Sequence, residues 1–373
     1  MTNSATVTSV PFVDLHAQYL TIKDEIDSAI SDVIRNSAFV RSGHVDVFED
    51  AFAKAIGTKH CISCANGTDA LFVAYKALRL QEGDEVITAA HSWISTSETI
   101  SLAGGKVVFC DTDDSFCIDP GKIESLVTPR TRGIVPVHLY GHACEMDRIM
   151  AIAKKHNLWV VEDCAQSHLS TFAGQTVGTF GNAATFSFYP GKNLGAMGDA
   201  GAIVTNDDQL TQWSELFARH GGKGSHAIEG INSRLDGLQA AILNAKLPRL
   251  QRWTDARRSV AKEYDRQLDG VGDLILPRRF DDREHVYHLY VIRTDRRDAL
   301  RDHLRESGVS TVINYPIALP FLPAYERFGH QPEDFPNAFR NQSQILSLPV
   351  FPEMTGEQIT RVTSAVKSFF DGV

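Results

Sequence analysis

The chain has 373 residues, 43% hydrophobic and 22% charged, proportions that suit two packed regions around a large core and exclude a disordered, collagen-like or coiled-coil chain. Lys and Arg number 37 against 46 Asp and Glu, a formal net charge of -9, and no basic block occurs, which argues against nucleic acid as a partner. Residues 1–10 lack a signal-peptide pattern and no run of about 18 apolar residues is present, so a soluble cytoplasmic protein without membrane contact is expected.

Short apolar runs at 61–65, 85–89, 106–110, 133–138, 158–162, 184–188 and 201–205 predict strands, with amphipathic helices at 69–80 and 146–156 among them. Alternation of this kind predicts an α/β fold with a mostly parallel sheet between helices. The runs from 85 to 162 show no strict in/out alternation, as expected of strands buried on both faces. From about residue 250 the pattern changes to a helix at 253–268, a strand at 286–293, a helix at 296–308 and a short strand at 311–315 before Pro316. A last helix at 355–370 places Ile359, Val362, Val366, Phe369 and Phe370 on one face. We therefore expect a large domain at 1–249 and a smaller α+β domain at 250–373.

The six cysteines are expected to be free, because a chain of this size needs no staples and Cys61 and Cys64 lie inside an apolar strand run. His138 and His142 lack the glutamate of a zinc-protease motif and read as turn residues, so no metal is expected. Asn66-Gly-Thr-Asp-Ala-Leu71 follows a strand and opens a helix; its free backbone N–H groups suit a phosphate, although many such turns use Gly, Thr and Asp merely as caps. Asp163 ends a strand, where such sheets present ligands, and reads either as a helix cap or as the partner of a cation. Lys192 sits in a loop bounded by Pro190, Gly191 and Gly195 directly after a buried strand; burial there would leave a free amine suited to imine chemistry. The glycines at 195, 198 and 201 precede a strand rather than a helix, so a dinucleotide fingerprint is rejected.

Taken together, the Gly67-Thr68 turn, Glu162-Asp-Cys-Ala-Gln166, Phe186-Ser-Phe-Tyr-Pro-Gly-Lys-Asn-Leu-Gly-Ala196 and Asn232-Ser-Arg-Leu-Asp236 resemble the DegT/DnrJ/EryC1/StrS family, pyridoxal-phosphate-dependent aminotransferases of nucleotide-sugars. The resemblance runs from Val13 to Pro349 and implies an aspartate-aminotransferase-like fold (fold type I). It implies that Lys192 forms the internal aldimine with pyridoxal 5'-phosphate, that Asp163 faces the pyridine nitrogen, and that Gln166 reaches the ring hydroxyl. Trp93 would stack on the cofactor. Gly67, Thr68, Asp69 and Ser187 would hold the phosphate, joined by Asn232 from a neighbouring subunit, so that a homodimer shares its active sites. Tyr189, His220, Asn314 and Tyr315 would meet the substrate.

The implied reaction moves an amino group from L-glutamate to a nucleotide-diphosphate keto-sugar, a 3-keto-6-deoxyhexose on dTDP or a 3-keto UDP-sugar, with amination at C4 as the alternative regiochemistry. Asn314-Tyr-Pro316 replaces the His-Tyr-Pro of many relatives, and Ala200 stands where many have glycine; the first change bears on which sugar is accepted. A 3-dehydratase of the same fold would carry histidine at position 192, and a non-catalytic regulatory protein should have lost Lys192, Asp163 or Gln166. All three are present.

Overall fold

A computed structural model describes residues 9–372; the stretch 1–8, part of the segment read for a signal peptide, and residue 373 lie outside the described residues. The seven expected strands form one sheet: β1 (His60–Cys64), β2 (Glu85–Ala89), β3 (Lys106–Cys110), β4 (Thr131–Val135), β5 (Trp159–Asp163), β6 (Ala183–Ser187) and β7 (Gly201–Thr205). Their spatial order is β1-β7-β6-β5-β4-β2-β3. Neighbours from β3 to β6 pair in parallel, and β7 runs antiparallel to both β6 and β1.

Apolar side chains leave both faces of this sheet. Ile87, Ile134, Val160, Phe186 and Val204 point into one core and Val86, Val135, Val161 and Ile203 into another, which is why the strands read as continuous apolar runs. Parallel strands need crossovers, so β1, β2, β4, β5 and β6 end at one edge, and the loops after them gather there. The first such crossover helix, Gly67–Ala77, is capped by Asn66, whose Oδ1 accepts from the Asp69 N–H at 2.7 Å.

A third core lies beyond helix Leu250–Leu268. That helix, Arg297–Glu306 and Gly356–Asp371 pack on the antiparallel pair β8 (Tyr290–Arg293) and β9 (Ile345–Leu348) through Tyr264, Leu300, Leu304, Leu346, Val362 and Val366. Val10 bridges to Val309 and joins this core from the start of the chain, whereas Ala318, Tyr325 and Ala338 pack into a core of the large sheet.

Two expected strands change. Residues 311–315 form no strand, because only Val312 bridges to Ser347. The expected strand at 286–293 starts at Tyr290: upstream, Val286 N–H donates to Gly141 O, Tyr287 N–H to the His285 ring and Leu289 N–H to Tyr140 O. Those irregular partners, with φ +45° at Tyr287, leave no ladder to extend. All six cysteines are free and buried, and no helix of the described residues is long and apolar enough to cross a membrane.

Candidate active site

The loops at the carboxyl edge of the sheet enclose a cavity of about 650 Å³. Each strand end supplies one wall: Asn66, Gly67 and Thr68 after β1, Ser92, Trp93, Ser95 and Thr96 after β2, Val137 and Leu139 after β4, Asp163 and Gln166 at β5, and Ser187, Tyr189 and Lys192 after β6. Asn314 and Tyr315 close it from the third core's side.

Asp163 is 5% exposed and is no helix cap. Its Oδ2 accepts from Thr96 Oγ1 at 2.8 Å and its Oδ1 from the Ala165 N–H at 3.1 Å. Burial raises its carboxyl above the ordinary range, while those two donors and the Lys192 charge favour the ionised form. Lys192 is drawn the other way: desolvation lowers its ammonium to about 8, against the pull of Asp163. Lys246 is also lowered to about 8, but its Nζ donates to Gly195 O at 2.8 Å and it lies outside the cavity. Lys192 is thus the lysine that the cavity presents, with a carboxylate in the same field.

The cradle at Gly67 is set by contact. A Cβ on Gly67 would stand 2.8 Å from Ser187 Cβ, and one on Gly201 would fall 2.3 Å from the Asn66 carbonyl carbon, so only glycine lets β6 and β7 approach this helix start. The Gly67 and Thr68 N–H groups make no hydrogen bond among the described residues. Thr68 Oγ1 meets Ser95 Oγ at 2.7 Å, and Ser187 Oγ accepts from the Tyr189 N–H at 3.3 Å. Thr185 Oγ1 is buried in the cavity wall without a partner.

Gln166 accepts from Tyr140 N–H at 2.7 Å through Oε1 and donates from Nε2 to Tyr315 OH at 2.8 Å. The backbone donor fixes the amide's orientation and leaves one N–H to offer. Tyr315 is tied in turn by its N–H to His91 Nε2 at 3.1 Å, and Asn314 Oδ1 accepts from Ser347 Oγ at 3.0 Å. Trp93 is 57% exposed, with its ring 5.4 Å from that of Tyr315, so it is no core tryptophan.

Three expected residues are not brought into this cavity by their own chain. Asp69 has its N–H taken by Asn66 and is absent from the walls, and His220 and Asn232 lie exposed outside them. Conversely, Arg257 and His288 line the cavity although no motif pointed to them, and Asn66, Ser95 and Thr96, neighbours of the expected residues, line it as well. His138 lies at the start of the turn Leu139–Gly141 and makes polar contacts there. Fully buried, it bonds Glu162 Oε2 at 3.0 Å through Nε2 and accepts the Cys144 N–H through Nδ1. Glu162 also accepts from three backbone N–H groups. In the nearby trio of His138, Glu162 and Cys164, the histidine and the glutamate are thus engaged in internal hydrogen bonds.

Residues 20–367 match the DegT/DnrJ/EryC1/StrS aminotransferase family. The chain is 43% identical to a pleiotropic regulatory protein of Geobacillus stearothermophilus, over 97% of this chain and 99% of that one. It is 42% identical to a dTDP-3-amino-3,6-dideoxy-alpha-D-galactopyranose transaminase of Aneurinibacillus thermoaerophilus, over 96% and 99%. Among solved structures, DesV of S. venezuelae in complex with a ketimine intermediate superposes with a TM-score of 0.96 at 38% identity, covering 98% of this chain and 99% of that one. With a lysine and a carboxylate facing one cavity at the edge of this sheet, the chain belongs to the DegT/DnrJ/EryC1/StrS aminotransferase family and is a pyridoxal-phosphate-dependent aminotransferase.

Proposed function

We propose that the enzyme transfers the amino group of L-glutamate to C3 of a keto-sugar carried on dTDP or UDP. The observation that carries the aminotransfer chemistry is the joint presence, in one cavity, of a lysine lowered to about 8, a buried carboxylate and two unbonded N–H groups at a helix start; the position C3 and the nucleotide are drawn from relatives such as the dTDP-3-amino-3,6-dideoxy-alpha-D-galactopyranose transaminase. Those residues fit the cofactor. The N–H groups of Gly67 and Thr68 and the Ser187 hydroxyl suit its phosphate, with Asp69 as neighbour, and the free Gln166 N–H suits its ring oxygen. The orphaned Thr185 hydroxyl gives a further polar atom on that wall. Bound there, pyridoxal phosphate supplies an aldehyde for the donor's amine and an electron-poor ring for the electron pair released at the donor's Cα.

The chain's own residues do the rest. Lys192 Nζ holds the cofactor in the resting enzyme and, once released, takes the proton from the donor's Cα. Burial favours its uncharged amine, the form a general base needs. Asp163 keeps a proton on the ring nitrogen, and the Thr96 hydroxyl and Ala165 N–H hold its carboxylate toward that task. Trp93, which lines the cavity and is largely exposed, would stack on the cofactor ring. Tyr189, Asn314 and Tyr315 meet the sugar, and His220 and Asn232 act in the cavity of a second subunit, Asn232 on the phosphate.

Incubating the holoenzyme and glutamate with paired 3-keto and 4-keto nucleotide-sugars tests this, with the product read by mass and NMR. An amino group at C3 is expected. Amination only at C4 would overturn the regiochemistry, and no product from either would overturn the substrate class.

A further inference from the structure

The helix Leu250–Leu268 buries Leu250, Trp253, Thr254, Val260, Ala261, Tyr264 and Leu268. Residue 257 falls on that same face, yet it is an arginine, 3% exposed. Among the described residues all its hydrogen bonds leave from Nη1, to Val350 O at 2.7 Å, Tyr287 O at 3.2 Å and His288 O at 3.4 Å. Its Nε is buried with no partner, and no described carboxylate comes within ion-pair distance. The comparably buried Arg283 has Glu145 and Asp282 beside it. An unpaired buried guanidinium is costly, and carbonyl contacts alone do not compensate its charge.

The surroundings sharpen the imbalance. Glu353 is the acid whose field Arg257 feels, but burial raises the Glu353 carboxyl toward its neutral form, and the buried Lys246 shares that field. On the same cavity wall His288 has a buried Nδ1 without a partner. Burial pushes the imidazole well below its ordinary range, with the Lys192 charge contributing, which favours the uncharged ring and puts His288 within electrostatic reach of Lys192. Apolar Phe12, Val13, Leu289, Val312 and Val350 also line the cavity.

We propose that Arg257 and His288 form the carboxylate-binding end of the active-site cavity and that its ligand is a carboxylate of the amino donor, an amino dicarboxylate. One guanidinium beside a neutral imidazole balances a single negative charge in a bidentate contact, which suits a carboxylate better than a diphosphate carrying two or more charges. The inference rests on the donor reading above and adds to it the place where the donor is recognised. A carboxylate on the sugar itself would offer the same chemistry, and the test separates the two.

Glutarate, a dicarboxylate with no amine to react, is titrated into the holoenzyme and followed by calorimetry and by the cofactor's absorption. Wild type should bind it. Arg257→Gln should weaken that binding ten- to a hundredfold, the loss of a hydrogen-bonded charge, and Arg257→Lys should recover part of it. UDP affinity and the KM for the keto-sugar should stay within threefold of wild type. A folded Arg257→Gln enzyme that keeps its glutarate affinity, or that loses glutarate and UDP alike, would overturn the assignment. So would an Arg257 dependence seen with UDP-glucuronic acid and not with glutarate. If Arg257→Gln does not fold, His288→Phe enters the same titration; a three- to tenfold weakening is expected, and an unchanged affinity contradicts the site. A wild-type enzyme that does not react with glutamate counts against the donor reading; one that reacts with glutamate but binds glutarate independently of both residues counts against this site alone.

Discussion

Replacing Asp163 with asparagine separates its charge from its shape. The carboxyl is 5% exposed and accepts from Thr96 Oγ1 and the Ala165 N–H. Asparagine keeps an oxygen for Ala165, and the Thr96 hydroxyl can rotate to accept from the new amide, so the fold and the cavity should persist. In the proposed site, what disappears is the negative charge that would face the cofactor's positive ring nitrogen. Breaking one side of a buried charge pair costs about 3–5 kcal/mol, which, appearing in the barrier, slows the reaction about a hundred- to several-thousandfold. Single-turnover mixing of the cofactor-loaded variant with glutamate, followed by absorbance, measures the loss directly. A rate within tenfold of wild type would mean that Asp163 only holds the turn at Ala165.

Two more outcomes bear on the lysine and the dimer. Because burial lowers Lys192 to about 8, the neutral amine accumulates as pH rises, so covalent capture of cofactor by apoenzyme should be half-maximal near pH 8; a midpoint near the ordinary 10.5 would contradict its desolvation. Asn232→Ala should weaken cofactor binding about ten- to a hundredfold, the loss of a bond to a charged acceptor. Mixed with Lys192→Ala subunits at low cofactor, it should restore activity approaching half of wild type per heterodimer, and no recovery despite verified subunit exchange would sink the shared site.

Much of this architecture was legible in the chain because local chemistry and burial agree. At 60–77 an apolar run, an Asn cap and a glycine that nothing larger can replace all specify strand, turn and helix. Lys192 and Asp163 drew attention because one follows a strand and the other ends one at the sheet's ligand edge, and the structure brings both to the cavity. The reading failed where distant groups took the backbone donors. Residues 311–315 look like a strand, but the Ser310 N–H goes to Val10 O, the Tyr315 N–H goes to the His91 ring, and Pro316 has none to give. Arg257 was hidden for a related reason: in the sequence it is one more basic residue of a helix rich in them. Its buried setting depends on Tyr287, His288 and Val350, about 30 to 90 positions away.

The central claim is that Lys192 is the amine that carries the cofactor, and borohydride reduction of the holoenzyme followed by peptide mass mapping tests it most directly. Lys246 is the natural internal control, since burial lowers it to about 8 as well while its Nζ is engaged by Gly195 O outside the cavity. The account predicts a single reduced adduct on the peptide containing Lys192, and none in Lys192→Ala. An adduct on Lys246 or any other lysine, or cofactor that washes away unreduced from the wild-type enzyme, would contradict it.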